Sequence, residues 1–265
     1  MKKFGVTILG AICTCWLLAG VAFAQSSGNF SAQIYKTVCT LNDSTGALSS
    51  TCTPTANGTQ CVSLSTPIKL SNGSGTALLV TPSMVTGLFT DTKIDTTLSS
   101  TSADVGVQVC LTVTNPDGSP AVGASVLGGN SNGCVVYDQR FQSISSQLFS
   151  QLSQCTEAPT TTACSTDADC STLGTGYTCD TTAGVCVGPN PLCNFDLTLS
   201  TLSAHSYNFI VNVPGGNYNV NAAWSLIGVQ TSNKYATVAA CAGPGTLTVT
   251  QTKVFNNSGS ITTTP

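Results

Sequence analysis

The chain has 265 residues, 41% of them hydrophobic but only 7% Asp, Glu, Lys or Arg, and a formal net charge of −3. An ordinary globular domain is about 25% charged, so here hydroxyls and amides must solvate the surface. The eight basic residues are too few and too scattered to neutralise a phosphate backbone, which argues against nucleic acid as a partner.

In chain order, residues 1–24 read as a signal peptide of bacterial style. Lys2 and Lys3 precede an apolar run from Val6 to Val21, and Ala22-Phe23-Ala24 forms a small-x-small cleavage site before Gln25. No other apolar stretch approaches the ~20 residues needed to span a bilayer. The mature chain is therefore expected to lack a transmembrane span and to be secreted or held at the cell surface, with the periplasm as a further location. Loss of the two leader lysines leaves six basic against eleven acidic residues, a net charge of −5.

Cys13 and Cys15 leave with the leader. Twelve cysteines remain: Cys39, Cys52, Cys61, Cys110, Cys134, Cys155, Cys164, Cys170, Cys179, Cys186, Cys193 and Cys241. An even number in an exported chain predicts structural disulfides. Zinc is disfavoured, because there is no Cys-x-x-Cys pair and a single histidine, His205. No metal, cofactor or catalytic residue is predicted.

Residues 25–75 are Ser/Thr-rich and read as an N-terminal arm with one or two strands. Its three cysteines cannot all pair among themselves, so at least one should reach Cys110, Cys134 or Cys241 if the later cluster is self-contained. Residues 76–255 read as the body. It opens with Thr76–Val80 and Met84–Leu98, then a strand at Val105–Val113 in which Val105, Val107, Val109, Leu111 and Val113 alternate with polar or small residues. Cys110 lies on the polar side, where a disulfide can fasten an outer segment over the sheet. After a turn at Asn115–Pro120, short strands are expected at Ala121–Leu127 and Gly133–Tyr137. Asp138 as N-cap, with Phe141, Ile144, Leu148, Phe149 and Leu152 at helical spacing, predicts a helix ending near Cys155.

Residues 155–193 break in composition. Six cysteines with hardly any apolar side chains between them cannot make a core and must be cross-linked, as an insert within the body. The sequence does not choose among the connectivities. From Asn194 to Ile227 two or three strands follow: His205, Tyr207, Phe209, Val211 and Val213 share one face, Pro214-Gly215-Gly216 turns, and Tyr218, Val220, Ala222, Trp224 and Leu226 share another. Strands at Lys234–Ala240 and Thr246–Phe255, joined by a Gly-Pro-Gly turn after Cys241, complete the body, and residues 256–265 form a frayed tail. One-sided apolar strands need a second layer. The expected fold is all-β, an antiparallel, jelly-roll-like sandwich with one short helix and a disulfide-rich insert.

Cys164-Ser-Thr-Asp-Ala-Asp-Cys170, with Gly176-Tyr-Thr-Cys179 and Ala183-Gly-Val-Cys186, resembles small cysteine-rich modules of bacterial cell-surface proteins. Leu202-Ser-Ala-His-Ser206 and Asn219–Trp224 are similar to stretches in exported bacterial β-sandwich proteins that carry no assigned function. The resemblance implies an exported, disulfide-closed scaffold and no activity.

Four groups of residues invite chemistry. Gly129-Asn-Ser-Asn-Gly133 matches Gly-x-Ser-x-Gly, so Ser131 and His205 could form a serine hydrolase, but the motif needs a strand–turn–helix junction and Cys134–Tyr137 is strand-like. A hairpin loop, and a rim histidine bonded to backbone, explain the same residues. Asp167 and Asp169, with Asp180 nearby, could bind calcium; aspartates at tight turns are commoner. Trp224 shares a core face, which leaves Tyr177 as the better-exposed ring for stacking on sugar. The expected function is a non-catalytic structural, adhesive or ligand-binding role toward an extracellular or envelope glycan or protein, with a carbohydrate- or calcium-binding module as the alternative.

Overall fold

A computed structural model describes residues 29–253, apart from 43–44, 46, 50–51, 56–57, 71–75, 96–97, 151–157, 175, 189 and 191–192. The signal segment 1–24, the tail 256–265 and Cys155 lie outside the described residues. The strands in chain order are β1 (Phe30–Tyr35), β2 (Thr53–Thr55), β3 (Gly58–Leu70), β4 (Thr76–Asp95), β5 (Ser100–Thr114), β6 (Ser125–Leu127), β7 (Cys134–Ser145), β8 (Ala158–Ala163), β9 (Thr178–Asp180), β10 (Val185–Gly188), β11 (Asn194–Ser206), β12 (Phe209–Asn212), β13 (Gly216–Thr231) and β14 (Ala236–Lys253). Helix α1 (Gln147–Ser150) follows β7, and a 3-10 turn (Asp167–Leu173) follows β8.

Two antiparallel sheets form the sandwich. One runs β1-β14-β4-β12-β6, with β11 continuing beside β12 on the same edge of β4; the other runs β2-β3-β13-β5-β7. The period-two pattern dictates what lies between them. Val105, Val107, Val109 and Leu111 of β5 and Tyr218, Val220, Ala222 and Trp224 of β13 point inward, to meet Leu78, Val80, Phe209, Val211, Leu247 and Val249 of the facing sheet. Each such side chain contributes about 1.5–3 kcal/mol on burial, offset by the entropy of ordering the chain. A third, small sheet, β8-β10-β9, belongs to the insert.

The sides of the sandwich are sealed by side chains rather than by a backbone ladder. Between β1 and β3, Gln33 accepts the Ser65 N–H, Asn29 donates to the Lys69 carbonyl, and the Ser31 and Thr66 hydroxyls bond to each other. On the opposite side Gln142 of β7 takes the Thr90 hydroxyl at 2.6 Å and donates to Thr92 and, at 2.9 Å, to the Leu197 carbonyl. A chain so short of charge uses carboxamides to cover strand edges that would otherwise pair with other chains.

Several expectations are corrected. Where the spacing predicts a helix from Asp138, the chain is the second half of strand β7, and among the described residues of that stretch only Gln147–Ser150 is helical. The register slips between Val107 and Gln108 of β5, leaving Tyr137 as an extra residue in β7. Such a bulge reverses the inward–outward parity of the rest of the strand. Phe141 therefore faces out at 70% exposure while Gln142, at 6%, faces in; the spacing of Phe141, Ile144 and Leu148 imitates a helix because alternation is interrupted. Of the strands expected in residues 25–75, β1 and β3 are members of the two sheets, and β3 pairs along β13 from Gly216 to Ser225. Residues 76–95 form one continuous strand, the Ala121–Leu127 strand shrinks to β6, and β14 is continuous, with the cis Gly243–Pro244 bond absorbed as a register shift instead of a turn.

The structure pairs Cys39–Cys241, Cys52–Cys61, Cys110–Cys134, Cys164–Cys179 and Cys170–Cys186, and Cys193 is also disulfide-bonded. Such cross-linking fits an oxidising environment. Cys110 joins its direct neighbour Cys134 across β5 and β7 instead of holding an outer segment. That task falls to Cys39–Cys241, which clamps the loop after β1 onto β14, opposite Gly87 of β4. Gly87 makes room for it: a Cβ there would lie 2.8 Å from Cys39 Sγ and 2.9 Å from Cys241 Sγ. Among the described residues no helix is long and apolar enough to cross a membrane.

Candidate functional site

Strand register gathers the β4–β5 turn, the β13–β14 turn, the end of β7 and the start of β11 at one end of the sandwich. The insert is rooted there, between α1 and β11. Phe195 separates two depressions. An open trough of about 780 Å³ runs along Ser143, Ile144, Leu148 and Leu197. A cleft of about 340 Å³ is lined by Lys93, Asp95, Asn194 and Asp196, with Tyr235 and Leu98.

The cleft is pre-organised by hydrogen bonds that begin in the β13–β14 turn. Asn233 Oδ1 accepts the Tyr235 N–H at 2.9 Å and Asn233 Nδ2 donates to Thr101 Oγ1 at 3.2 Å. The Lys93 N–H donates to the Tyr235 carbonyl at 3.0 Å, and Ser102 N–H donates to Ser232 Oγ at 2.8 Å. On the wall, Lys93 Nζ lies 2.9 Å from Asp196 and 3.8 Å from Asp91, while Thr198 Oγ1 donates to Asp91 at 3.1 Å. Burial, followed by the bond shared with Asp196, raises the Asp91 carboxyl; that same bond, together with Lys93, lowers Asp196. The Asp196 carboxylate in turn raises the Lys93 ammonium. Lys234 Nζ stands 5.0 Å from the centroid of the Tyr235 ring. Tyr235 is 37% exposed, and its backbone N–H and carbonyl are both bonded.

The hydrolase pair does not assemble. Ser131 is exposed in a loop whose Asn130 side chain accepts the Asn132 and Cys134 N–H groups, the hairpin solution rather than a nucleophile elbow. His205 sits on β11, half-exposed, with Ser203 Oγ 2.7 Å from Nε2 and Asp138 Oδ2 3.8 Å from the same nitrogen. Its partner is thus a hydroxyl rather than the expected backbone group. A relay needs the hydroxyl and the carboxylate on opposite ring nitrogens; here both face one. Tyr137, 5.7 Å from His205 ring to ring, donates to the Pro82 carbonyl at 2.6 Å, and burial pushes its phenol above the ordinary value.

The insert aspartates are committed to backbone. Asp169 accepts the Ser165 and Thr166 N–H groups at 2.8 and 2.9 Å, Asp167 accepts Cys179 N–H, and Asp180 accepts Thr182 and Ala183 N–H. These bonds lower the Asp169 carboxyl. Cys164, Cys170 and Cys186 bring three sulfurs within 4.8 Å of one another, but all three are in disulfides and have no thiolate to offer a metal. Trp224 is in the core at 0% exposure. Tyr177 lies against Gly188, where a Cβ would come within 2.2 Å of its ring, so it is a structural ring and not a free platform. Sequence reading passed over Tyr235, Lys93 and Asp196; the Ser-Asn-Lys-Tyr turn at 232–235 was the one local signal.

No family model matches this chain, and comparisons with the curated proteins and with the solved structures return no match.

Proposed function

We propose that this is an exported bacterial protein, secreted or displayed at the cell surface after loss of residues 1–24, whose role is adhesive or ligand-binding and not catalytic. The observation that carries the reading is the loop end. Two depressions, walled by side chains fastened to the sheet, open where Leu148 and Asn194 flank, along the chain, an insert that carries the Cys164–Cys179 and Cys170–Cys186 disulfides. Rigid scaffolds carry recognition on loops gathered in this way. The Ser–His–Asp group supports the same reading, because both partners of His205 use one nitrogen and leave no relay.

The test is saturable binding of the labelled mature chain to intact bacterial cells or isolated envelope polysaccharide and protein, displaced by unlabelled protein. Hydrolysis of an ester panel that disappears in Ser131→Ala or His205→Ala would overturn the proposal in favour of a serine hydrolase. Absence of saturable binding to every preparation would overturn it as well.

A further inference from the structure

Tyr235 differs from the other described tyrosines. Tyr218 is buried in the core, Tyr137 and Tyr207 pack against it, Tyr35 lies at its margin, and Tyr177 covers Gly188. Tyr235 alone among them counts as an exposed large apolar side chain, and it lines a cleft whose remaining wall is in part polar, with Lys93, Asn194, Asp95 and Asp196, and in part apolar, with Leu98 and Phe195. An aromatic face beside carboxylate and carboxamide groups matches a sugar ring. The C–H face of a pyranose is drawn to the negative face of the ring, and vicinal hydroxyls bond in pairs to planar acceptors.

We infer that this cleft is a saccharide subsite for one uncharged pyranose ring of an extracellular glycan. The inference rests on the binding-protein reading above and names its ligand class. Size agrees: about 340 Å³ sits at the low end of small-molecule pockets, room for a single ring and not for a long chain. Charge agrees too. The Lys93 and Lys234 ammoniums interleave with the Asp91, Asp95 and Asp196 carboxylates, so neither a uronate nor a polycation meets a field of one sign. The backbone that carries the ring is already ordered, because Tyr235 is bonded to Lys93 and, through Asn233, to β5; binding does not have to immobilise the turn. The larger cleft at the opposite end, lined by Leu111, Ala121, Val126 and Ser131, has no aromatic face.

The experiment uses the full mature chain and disaccharides of glucose, galactose, mannose and N-acetylglucosamine, with a uronic acid disaccharide as the anionic arm, each up to about 10 mM, a range suited to weak single-ring affinities. In the wild type, amide NMR shifts on adding a neutral disaccharide should cluster at residues 93–95, 194–196 and 233–235. Tyr235→Ala should weaken binding by about tenfold, the size of a lost aromatic contact, with Tyr235→Phe within about twofold and Tyr177→Ala unchanged. Shifts elsewhere, binding that survives Tyr235→Ala in a folded variant, or preference for the uronic acid would overturn the inference. If the protein binds cells or envelope material but no neutral saccharide, the inference alone falls; if it binds neither, the functional reading falls with it. The shift map needs no variant, so misfolding of Tyr235→Ala leaves the test intact.

Discussion

The sandwich and the insert solve the same problem, ordering a chain nearly devoid of charge, by opposite means. In the sandwich every second residue of β5 from Thr101 to Val113 and of β13 from Tyr218 to Trp224 is buried, and the interior is mostly aliphatic around the rings of Trp224, Phe209 and Tyr218. In the insert, among the described residues, the buried ones are Cys170, Cys186, Gly188 and Cys193, the last packed with Ile94 and Ile144 of the sandwich, so the insert's own interior is a disulfide and a glycine beneath a tyrosine. Carboxylates act differently in the two. Asp169, Asp167 and Asp180 hold turns of the insert by accepting backbone N–H groups, whereas the sandwich closes its sides with neutral amides such as Gln33 and Gln142. A hydrophobic interior tolerates loss of a cross-link; a cross-linked loop without an interior does not.

The contrast is broken most sharply from the sandwich side. Trp224→Ala removes a fully buried side chain and should cost about 3–5 kcal/mol of global stability. Denaturant titration should show the midpoint falling while the insert disulfides stay intact. A midpoint shift under about 1 kcal/mol would mean that the indole is not the centre of the interior. Trp224 Nε1 is buried without a hydrogen-bond partner, so Trp224→Phe should cost much less.

A smaller and more local effect comes from the insert. The double change Cys170→Ser and Cys186→Ser should open it, with proteolysis appearing within residues 164–188 and the sandwich transition moving by less than about 1 kcal/mol. Disulfide removal from a small module typically costs about 2–5 kcal/mol, more than this segment has from any other source. Limited proteolysis with mass readout checks this; cleavage throughout the sandwich would show that the two regions unfold as one.

Acid gives the mildest perturbation. The Asp169 carboxyl is lowered in the folded chain by the Ser165 and Thr166 N–H groups, so the unfolded insert binds the proton more readily. Its contribution is complete above the ordinary carboxylate value, about 4, and is lost as pH falls through the lowered value. Amide protection at Ser165 and Thr166, taken relative to the intrinsic exchange rate at each pH, should be high at about pH 5 and fall in stronger acid, with Trp224 and its neighbours still protected. Asp169→Asn should abolish that dependence; unchanged protection across the range would remove the carboxylate from its structural role.

Much of the fold was legible in runs of adjacent residues. Alternation in Val105–Val113 and Tyr218–Trp224 announced strands, and the need for a disulfide between arm and body is met by Cys39–Cys241. Where reading failed, the missing information came from a neighbouring strand. Phe141 and Gln142 exchange roles because β7 carries one extra residue opposite β5, and nothing between Cys134 and Ser145 states that. Cys110 faces the way its strand predicts, yet its partner depends on β7 lying alongside. The candidate cleft was hidden for the same reason: Lys93, Asn194 and Tyr235 are far apart in the chain and meet only through the ladders of β4 with β11 and β14.

The amino-acid order by itself determined the all-β character, the near-absence of charge, the reliance on cysteine and the break in composition at residues 155–193, because each is a matter of composition or of period-two patterning within a few residues. Only the tertiary structure decided which cysteines join, which face of β7 turns inward, and that Tyr235 stands over a cleft. Those depend on register between strands distant in sequence, and register is chosen by the burial of both sheets together.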